Sequence, residues 1–353
     1  MEKYWSDLVK QLRPYEPGEQ PWMDGVLKLN TNENPFGPSP KVLSAIEGQL
    51  GSQLRLYPPP NADLLKQAIA DYYGLKDSQI FLGNGSDEIL AHVFNGLLKK
   101  ALPLLFPDIT YSFYPVFCQL YDIDFEEIPL KDDLSIDLTD YEVPNGGIIF
   151  PNPNAPTGRL LAIGEIEYLL KANRNSVVVI DEAYIDFGGQ SSIGLLTDNP
   201  NLIVTQTMSK SRSMAGMRIG FALGSADLIE GLERVKNSFN SYPLGHLQIA
   251  AGISAIEDSD HFKDTCQRVI HNRAKLTIDL EELGFSVVPS AGNFVLVRHF
   301  RASALKIYGQ LKNNGILVRH FNKQRLDNFL RITVGTTEQN DQLVTALATI
   351  LRS

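Results

Sequence analysis

The chain has 353 residues, of which 43% are hydrophobic and 21% are charged, and its formal net charge is −9. This length exceeds an ordinary single core of about 100 to 200 residues, so we expect two lobes. An acidic chain without a long run of Lys or Arg matches a nucleic-acid backbone poorly, and we therefore expect no nucleic-acid partner.

The sequence shows no pattern typical of export, membrane insertion or metal binding. Its start predicts a short amphipathic helix that ends before Pro14, and the longest apolar runs are far shorter than the roughly 20 residues of a membrane helix. Cys118 and Cys266 are not in a metal-ligand spacing, and we expect both to be buried. We predict a cytoplasmic protein with no metal site and no membrane contact.

Short apolar runs alternate with helical stretches between about residues 79 and 223, which is the pattern of an α/β domain. Runs such as Val177–Ile180 lack polar alternation, as in a parallel sheet covered by helices on both faces. We predict a large, mostly parallel sheet. Its candidate strands are Gln79–Leu82, Pro103–Phe106, Gly147–Phe150, Val177–Ile180, Leu202–Thr205 and Ile219–Leu223.

After residue 224 the helices become longer, and the pattern predicts a smaller α+β domain. Residues 1–50 are expected to join it, so that this domain is built from both chain ends. The predicted division is 1–50 for the N-terminal arm and part of the small domain, 51–235 for the large domain and 236–353 for the C-terminal small domain. The candidate elements are helices near His261–Leu283, Ala302–Asn313 and from Thr337, and strands near Ser286–Val288, Asn293–Arg298, Ile316–Arg319 and Leu330–Val334.

Ligands of open α/β sheets bind beyond the carboxyl ends of the strands, so polar residues that follow strands are the first site candidates. Lys210 follows the run Leu202–Thr205, and Asp181 ends the run Val177–Ile180. A carboxylate at the mouth of a buried strand is costly unless it meets a cation. On these residues alone, a solvated loop lysine and a helix-capping aspartate are the commoner interpretations.

Two further loops suit contact with a ligand. The segment GNGSDE, residues 83–88, opens an apolar helix, and its N–H groups and positive helix end would attract an anion. The segment PNPNAPTG, residues 151–158, contains three prolines that fix its backbone. A plain capped turn and a plain proline-rich turn remain alternatives for these two segments.

Taken together, these segments resemble the class II, fold-type-I aminotransferases that depend on pyridoxal 5'-phosphate, and most closely the histidinol-phosphate aminotransferases. The resemblance runs nearly end to end. Its pieces occur in the order of the family: RPYEPG, LNTNENPFGPSP, LYPPP, GNGSDE, ITYSFY, NPNAPTG, VIDEAYIDF, TMSKSRSMAGMRIGF, AGNFVLVR, GILVRHF and FLRITVGT.

The resemblance implies pyridoxal 5'-phosphate as the cofactor, bound to Lys210 as a Schiff base. Lys210 is also the implied base for proton transfer, Asp181 the partner of the pyridine nitrogen, and Tyr184 a donor to the phenolate oxygen. Tyr57 is implied to reach the phosphate of a neighbouring subunit, which predicts a homodimer with shared active sites. The other implied cofactor contacts are Ser86, Asp87, Thr207 and Arg218 at the phosphate and Tyr111 against the ring.

One position departs from the family. Its members usually have Asn immediately before Pro-Thr-Gly, where the amide contacts the phenolate oxygen, and this chain has Ala155 there. We expect Asn154, or otherwise Asn152, to supply the missing amide.

The resemblance also implies the substrate. It assigns Arg331 and Arg319 to the substrate anion, and Tyr15 and Asn32 to positions that close over the substrate. The expected reaction transfers the amino group of L-histidinol phosphate, the small-molecule amino donor, to 2-oxoglutarate, a 2-oxo acid, giving imidazole-acetol phosphate and glutamate. An aromatic aminotransferase, a threonine-phosphate decarboxylase and a non-catalytic binding or regulatory module of the same fold are the alternatives.

Overall fold

Thirteen strands form three sheets in the described part of the computed structural model, which covers residues 2–20 and 25–352. The strands are β1 (Leu27–Lys28), β2 (Ile80–Gly83), β3 (Leu104–Pro107), β4 (Phe125–Ile128), β5 (Gly147–Pro151), β6 (Val178–Asp181), β7 (Leu202–Thr207), β8 (Gly220–Gly224), β9 (Phe285–Val288), β10 (Phe294–His299), β11 (Ile316–Leu317), β12 (Arg319–His320) and β13 (Leu330–Thr333).

Helices cover these sheets. They are α1 (Asp7–Gln11), α2 (Pro40–Glu47), α3 (Asp63–Tyr73), α4 (Gly85–Val93), α5 (Tyr114–Tyr121), α6 (Ile163–Ala172), α7 (Ala226–Asn237), α8 (His246–Glu257), α9 (Ser259–Glu282), α10 (Ala304–Asn313) and α11 (Thr337–Arg352). Within the described ranges, no helix is both long and apolar enough to cross a membrane.

The large sheet has seven strands in the order β2-β8-β7-β6-β5-β3-β4. All neighbours are parallel except β8, which runs antiparallel to both β2 and β7. In β6, Val178 and Ile180 pack into one hydrophobic core while Val179 packs into another on the opposite face. Burial on both faces explains why the strand is apolar throughout. The predicted large, mostly parallel sheet is confirmed.

The smaller lobe contains the antiparallel sheet β12-β13-β10-β9, against which helices α9, α10 and α11 pack. Near the N-terminus, β1 pairs in parallel with β11, with Leu27 opposite Ile316. This pairing ties the segment before residue 35 to the C-terminal lobe. The prediction of a small α+β lobe built from both chain ends is therefore confirmed.

The packing of α2 and α8 bears on where the lobes divide. Both helices contact each other, α8 also contacts α3, and Val42 and Ile249 belong to the same hydrophobic core as Val178 of the large sheet. The boundaries at residues 50 and 235 stay predictions, and we propose that α2 and α8 belong with the large lobe.

The core of the small lobe provides a matched test on one helix. Leu311 of α10 is fully buried, whereas Leu305 of the same helix is 60% exposed. Leu311→Ala should lower the free energy of unfolding by about 2–5 kcal/mol, because it removes buried methyl groups and leaves a cavity. Leu305→Ala should change it by less than about 0.5 kcal/mol. Urea denaturation of both variants measures the difference, and equal effects would contradict this packing.

Candidate active site

A cavity of about 570 Å³ opens at the carboxyl ends of β5, β6 and β7, between the two lobes. It brings together residues that are far apart in the sequence and excludes two of those predicted for the site, Asn154 and Tyr57. The predicted residues that line it are Tyr15, Asn32, Ser86, Asp87, Tyr111, Asp181, Tyr184, Thr207, Lys210, Arg218, Arg319 and Arg331.

Asp181 lies at the floor of the cavity, where β6 ends, and is 4% exposed. Its carboxylate accepts hydrogen bonds from the Tyr114 hydroxyl at 3.2 Å and the Thr205 hydroxyl at 3.3 Å. Burial raises the pKa of Asp181 to about 6, although both hydrogen bonds oppose the shift. Because neither partner carries a positive charge, the ionised carboxylate would be stabilised by a cation placed in the cavity.

Lys210 lies in the loop that follows β7 and is half-buried. Its Nζ donates to the Thr31 carbonyl at 3.2 Å and is 5.8 Å from the centre of the Tyr184 ring. The Asn34 amide holds the Lys210 carbonyl at 3.0 Å. The lysine is thus held from the N-terminal segment, and its amine projects toward the same cavity as Asp181.

The first turn of α4 and the neighbouring Arg218 form one side of the cavity. Gly85 has φ +81°, and a side chain there would collide with the Arg218 guanidinium. A Cβ at Gly220 would be 2.6 Å from the Ser86 nitrogen, so only glycine allows β8 this close to the turn. Exposed N–H groups at a helix start, with Arg218 beside them, suit a phosphate.

Asp87 connects two other predicted residues. Its carboxylate accepts from the Tyr111 hydroxyl at 2.8 Å and forms an ion pair with Arg218 at 3.0 Å. Burial, followed by the charge of Asp87, raises the pKa of Tyr111 well above its usual value of 10. Tyr111 therefore stays a neutral aromatic wall of the cavity.

Thr207 ends β7 directly opposite Gly220, beside the first turn of α4. Its hydroxyl donates to Ser209 at 2.9 Å and accepts from the Ser209 N–H at 3.1 Å.

Tyr184 projects from the segment after β6, packs edge-on against Phe294 at 5.0 Å and accepts from the Asn32 amide at 3.1 Å.

The structure does not support the predicted role of Asn154. The Asn154 amide donates to the Ile109 carbonyl and the Thr157 hydroxyl, both at 3.0 Å, and the residue does not line the cavity. Asn152 is also occupied, because it exchanges hydrogen bonds with the Leu161 backbone. Ala155 does line the cavity but has no polar side chain. The side-chain amide that donates to the Tyr184 hydroxyl is that of Asn32, which sequence adjacency could not indicate.

Tyr57 lies outside the cavity of its own chain. It is 81% exposed, and its ring packs against Tyr242 at 4.9 Å. A role at a cofactor therefore requires a second subunit.

Two arginines form the opposite wall of the cavity. Arg319 of β12 is directly across from Arg331 of β13, so both side chains lie on one face of the sheet. Arg331 donates to the Asn30 carbonyl at 2.9 Å, but its Nε is buried without a partner. Neither guanidinium forms an ion pair with a carboxylate of the described residues. Like charges opposite each other are destabilising, and an anion between them would relieve that cost.

Sequence reasoning missed Tyr114, Thr205 and Asn34. Tyr114 and Thr205 reach Asp181 from other strands and helices, and no local pattern marks them. Asn34 lies in the NENPFG segment that drew attention to Asn32. Among the described residues, no group of three or more His, Cys, Asp or Glu could hold a metal ion.

Comparison with known proteins identifies the family. The model of the aminotransferase class I and II family matches residues 24–347. The chain belongs to the class I and II aminotransferases. Similar relatives of this aminotransferase include histidinol-phosphate aminotransferase 1 of Pseudomonas fluorescens, 58% identical over 98% of this chain and 99% of the relative. The protein of the same name from Pseudomonas aeruginosa shows the same identity and coverage.

A solved structure agrees with this assignment. The histidinol-phosphate aminotransferase of Sinorhizobium meliloti, in complex with pyridoxal 5'-phosphate, superimposes with a TM-score of 0.89 at 25% identity. The alignment covers 99% of this aminotransferase and 98% of that chain. The fold-type-I architecture expected from the sequence is confirmed.

The chemistry of the cavity fits a pyridoxal phosphate group. Asp181 lacks the cation that a protonated pyridine nitrogen would provide. Ser86 at the start of α4 and the Arg218 guanidinium both line the cavity and would supply donors for an anion. The amine of Lys210 projects into the same cavity. Each part of the group thus has a matching side chain in this aminotransferase.

The buried charge of Asp181 predicts a pH-dependent stability. Its folded pKa of about 6 lies above the ordinary 3.8, so the Asp181 contribution to the free energy of unfolding falls as pH rises from about 4 to about 6. Without cofactor and near pH 7.5, the Asp181→Asn variant should therefore have a free energy of unfolding on the order of 2 kcal/mol higher than wild type. Urea denaturation measures this difference. The gain should shrink near pH 5.

Saturating pyridoxal phosphate provides the control for this prediction. It should reverse the order of stability, because only the wild-type carboxylate gains the cation. If Asp181→Asn changed the free energy of unfolding equally near pH 5 and pH 7.5, burial would not be the cause of the raised Asp181 pKa.

Proposed function

We propose that this aminotransferase transfers the amino group of L-histidinol phosphate to 2-oxoglutarate, giving imidazole-acetol phosphate and glutamate, a reaction of histidine biosynthesis. The observation that carries the proposal is the pair Arg319 and Arg331, which faces the Lys210 cavity without a carboxylate partner among the described residues. The names of the relatives at 58% identity support the same substrate.

The cofactor is pyridoxal 5'-phosphate, which supplies an electrophilic carbonyl and an electron sink when bound. Asp181 would hold the pyridine nitrogen in its protonated form, and the Tyr111 ring would lie against the pyridine. Ser86, Thr207 and Arg218 would hold the phosphate through the turn at α4 and its neighbours.

Lys210 would hold the cofactor through its Nζ. The same amine would take up the proton that leaves the substrate α carbon. The Thr31 carbonyl and the Asn34 amide keep the lysine facing the cavity. The Tyr184 hydroxyl, which lines the same cavity, would donate a hydrogen bond to the phenolate oxygen of the cofactor.

Two arginines suit the two half-reactions. In the first, the guanidinium groups of Arg319 and Arg331 would bind the phosphate of histidinol phosphate, which has no carboxylate. In the second, they would bind carboxylates of 2-oxoglutarate or glutamate. The planar guanidinium matches both anions through paired hydrogen bonds. Tyr15, whose pKa is raised by burial, lines the same region in its neutral form.

A substrate panel tests this function. Purified protein should form glutamate in the presence of 2-oxoglutarate and histidinol phosphate, and more slowly with phenylalanine or tyrosine. Arg331→Gln and Arg319→Gln should each lower kcat/KM for histidinol phosphate by about 10- to 150-fold, since a hydrogen bond to a charged group contributes about 1.5–3 kcal/mol. Arg301→Gln, on an exposed turn, is the control.

The alternatives predict different products in the same panel. Preferred turnover of phenylalanine or tyrosine would indicate an aromatic aminotransferase, and CO2 from threonine phosphate would indicate a decarboxylase. A non-catalytic module would form no product with any of them. Each of these results would overturn the proposed substrate.

We further propose a homodimer whose active sites are shared between subunits, formed in a reducing compartment such as the cytoplasm, where the two buried cysteines stay free. Large apolar side chains are exposed around Tyr57, which argues for an interface with a second copy. This apolar face comprises Leu50, Leu54, Leu56, Tyr57, Phe239 and Tyr242.

Subunit mixing tests the shared site. Lys210→Ala and Tyr57→Ala should each lose most activity alone. When equal amounts are refolded together, half of the dimers are mixed, and each mixed dimer has one site with both Lys210 and Tyr57 intact. Activity should then return to about a quarter of wild type. Activity no greater than the average of the two variants would show that Tyr57 serves its own subunit.

A further inference from the structure

Asn32 is buried, and hydrogen bonds hold both its backbone and its side chain. It is 1% exposed and has a left-handed backbone with φ 56°. Its N–H donates to the Thr333 hydroxyl at 3.0 Å, and its carbonyl accepts from the Asn293 amide at 3.0 Å. Its side-chain oxygen accepts from Thr333 at 3.1 Å, and its amide nitrogen is 3.1 Å from the Tyr184 hydroxyl.

These contacts determine which way the protons point. The Thr333 hydroxyl accepts from a backbone N–H, so its single proton is available for the Asn32 side-chain oxygen. That bond assigns the oxygen end of the amide and places the NH2 end at Tyr184. An amide nitrogen only donates, so the Tyr184 oxygen accepts and its own proton is free for another acceptor.

We propose that Asn32 is a positioning residue that acts through Tyr184: its amide, held by the small lobe, directs the Tyr184 proton into the cavity toward the group bound by Lys210. A hydroxyl that accepts a hydrogen bond is a stronger donor, so Asn32 also strengthens the bond that Tyr184 makes. This inference rests on the proposed function, because it concerns the cofactor-binding side of the same cavity.

The position of Asn32 explains how Ala155 is tolerated. Ala155 lines the cavity without a polar group, and the side-chain NH2 groups of Asn152 and Asn154 donate to the Leu161 and Ile109 carbonyls. Asn32 does not replace a missing contact to the cofactor. It strengthens the donor that remains.

The same segment also couples the two lobes. Thr333 and Asn293 belong to the small lobe, whereas Tyr184 and Lys210 follow strands of the large sheet. Thr31 and Asn34, which flank Asn32, hold Lys210 through its Nζ and its carbonyl. A movement of the small lobe would therefore be transmitted to Tyr184 and Lys210 together.

Absorption of the cofactor-loaded protein tests the inference. A donor to the phenolate favours its charged form and so lowers the pKa of the protonated nitrogen that Lys210 shares with the cofactor. Asn32→Gly, which keeps the left-handed backbone without strain, should raise that pKa by about 0.5–1 unit in a pH titration of the visible band. In a Tyr184→Phe background, Asn32→Gly should cause no further shift.

Two more variants separate this role from simple packing. Thr333→Val removes the hydroxyl that holds Asn32 and should shift the pKa in the same direction by a smaller amount. Asn340→Ala removes another buried small-lobe asparagine, which binds the Gly335 N–H outside the cavity, and should lower stability without moving the pKa.

None of these variants changes another titratable group near Tyr184 or Lys210. The other titratable groups that interact electrostatically with Tyr184 or Lys210 are unchanged in every variant; they are Tyr15, Glu33, Tyr111, Tyr114 and Arg331. A pKa unmoved by Asn32→Gly, or a shift that persists in Tyr184→Phe, overturns the inference. Neither result touches the proposed function, which is measured by turnover of histidinol phosphate.

Discussion

The central constraint in this structure is a carboxylate at the end of a buried parallel strand. Asp181 is placed by β6, whose residues are buried on both faces, and its protein partners Tyr114 and Thr205 are neutral. Burial without a cation is costly, and it holds the carboxyl pKa near 6. A cofactor with a protonated nitrogen offsets this cost, so the sheet that builds the fold also selects the ligand.

At the arginine pair, positive charges lie at the cavity without a carboxylate partner, just as Asp181 lies there without a cation. Arg319 and Arg331 are placed opposite each other by the register of β12 and β13, and no carboxylate of the described residues neutralises them. The cavity therefore has an acidic end that favours a cation and a basic end that favours an anion. Once the cofactor nitrogen occupies the acidic end, the basic end remains for the phosphate of the substrate.

Much of this could be predicted from the sequence because the large lobe follows local rules. The runs at β5, β6 and β7 are apolar throughout, and the polar residues after them mark the sheet edge where ligands bind. Strand direction is not local, and so the antiparallel course of β8 could not be read from its residues. The edge strand β4 was missed because its segment FEEI is mostly exposed and lacks an apolar pattern.

The assignment of Asn154 shows why the remaining part of the site could not be predicted. Adjacency favoured it, since it precedes Ala155 in a rigid loop, but neighbouring residues in such a loop point in different directions. The Asn154 amide is turned to Ile109 and Thr157. The amide that reaches Tyr184 comes from residue 32, which is brought there only because β1 pairs with β11 and Thr333 holds the chain beyond it. A contact that depends on pairing between the two ends of the chain has no signal in either segment alone.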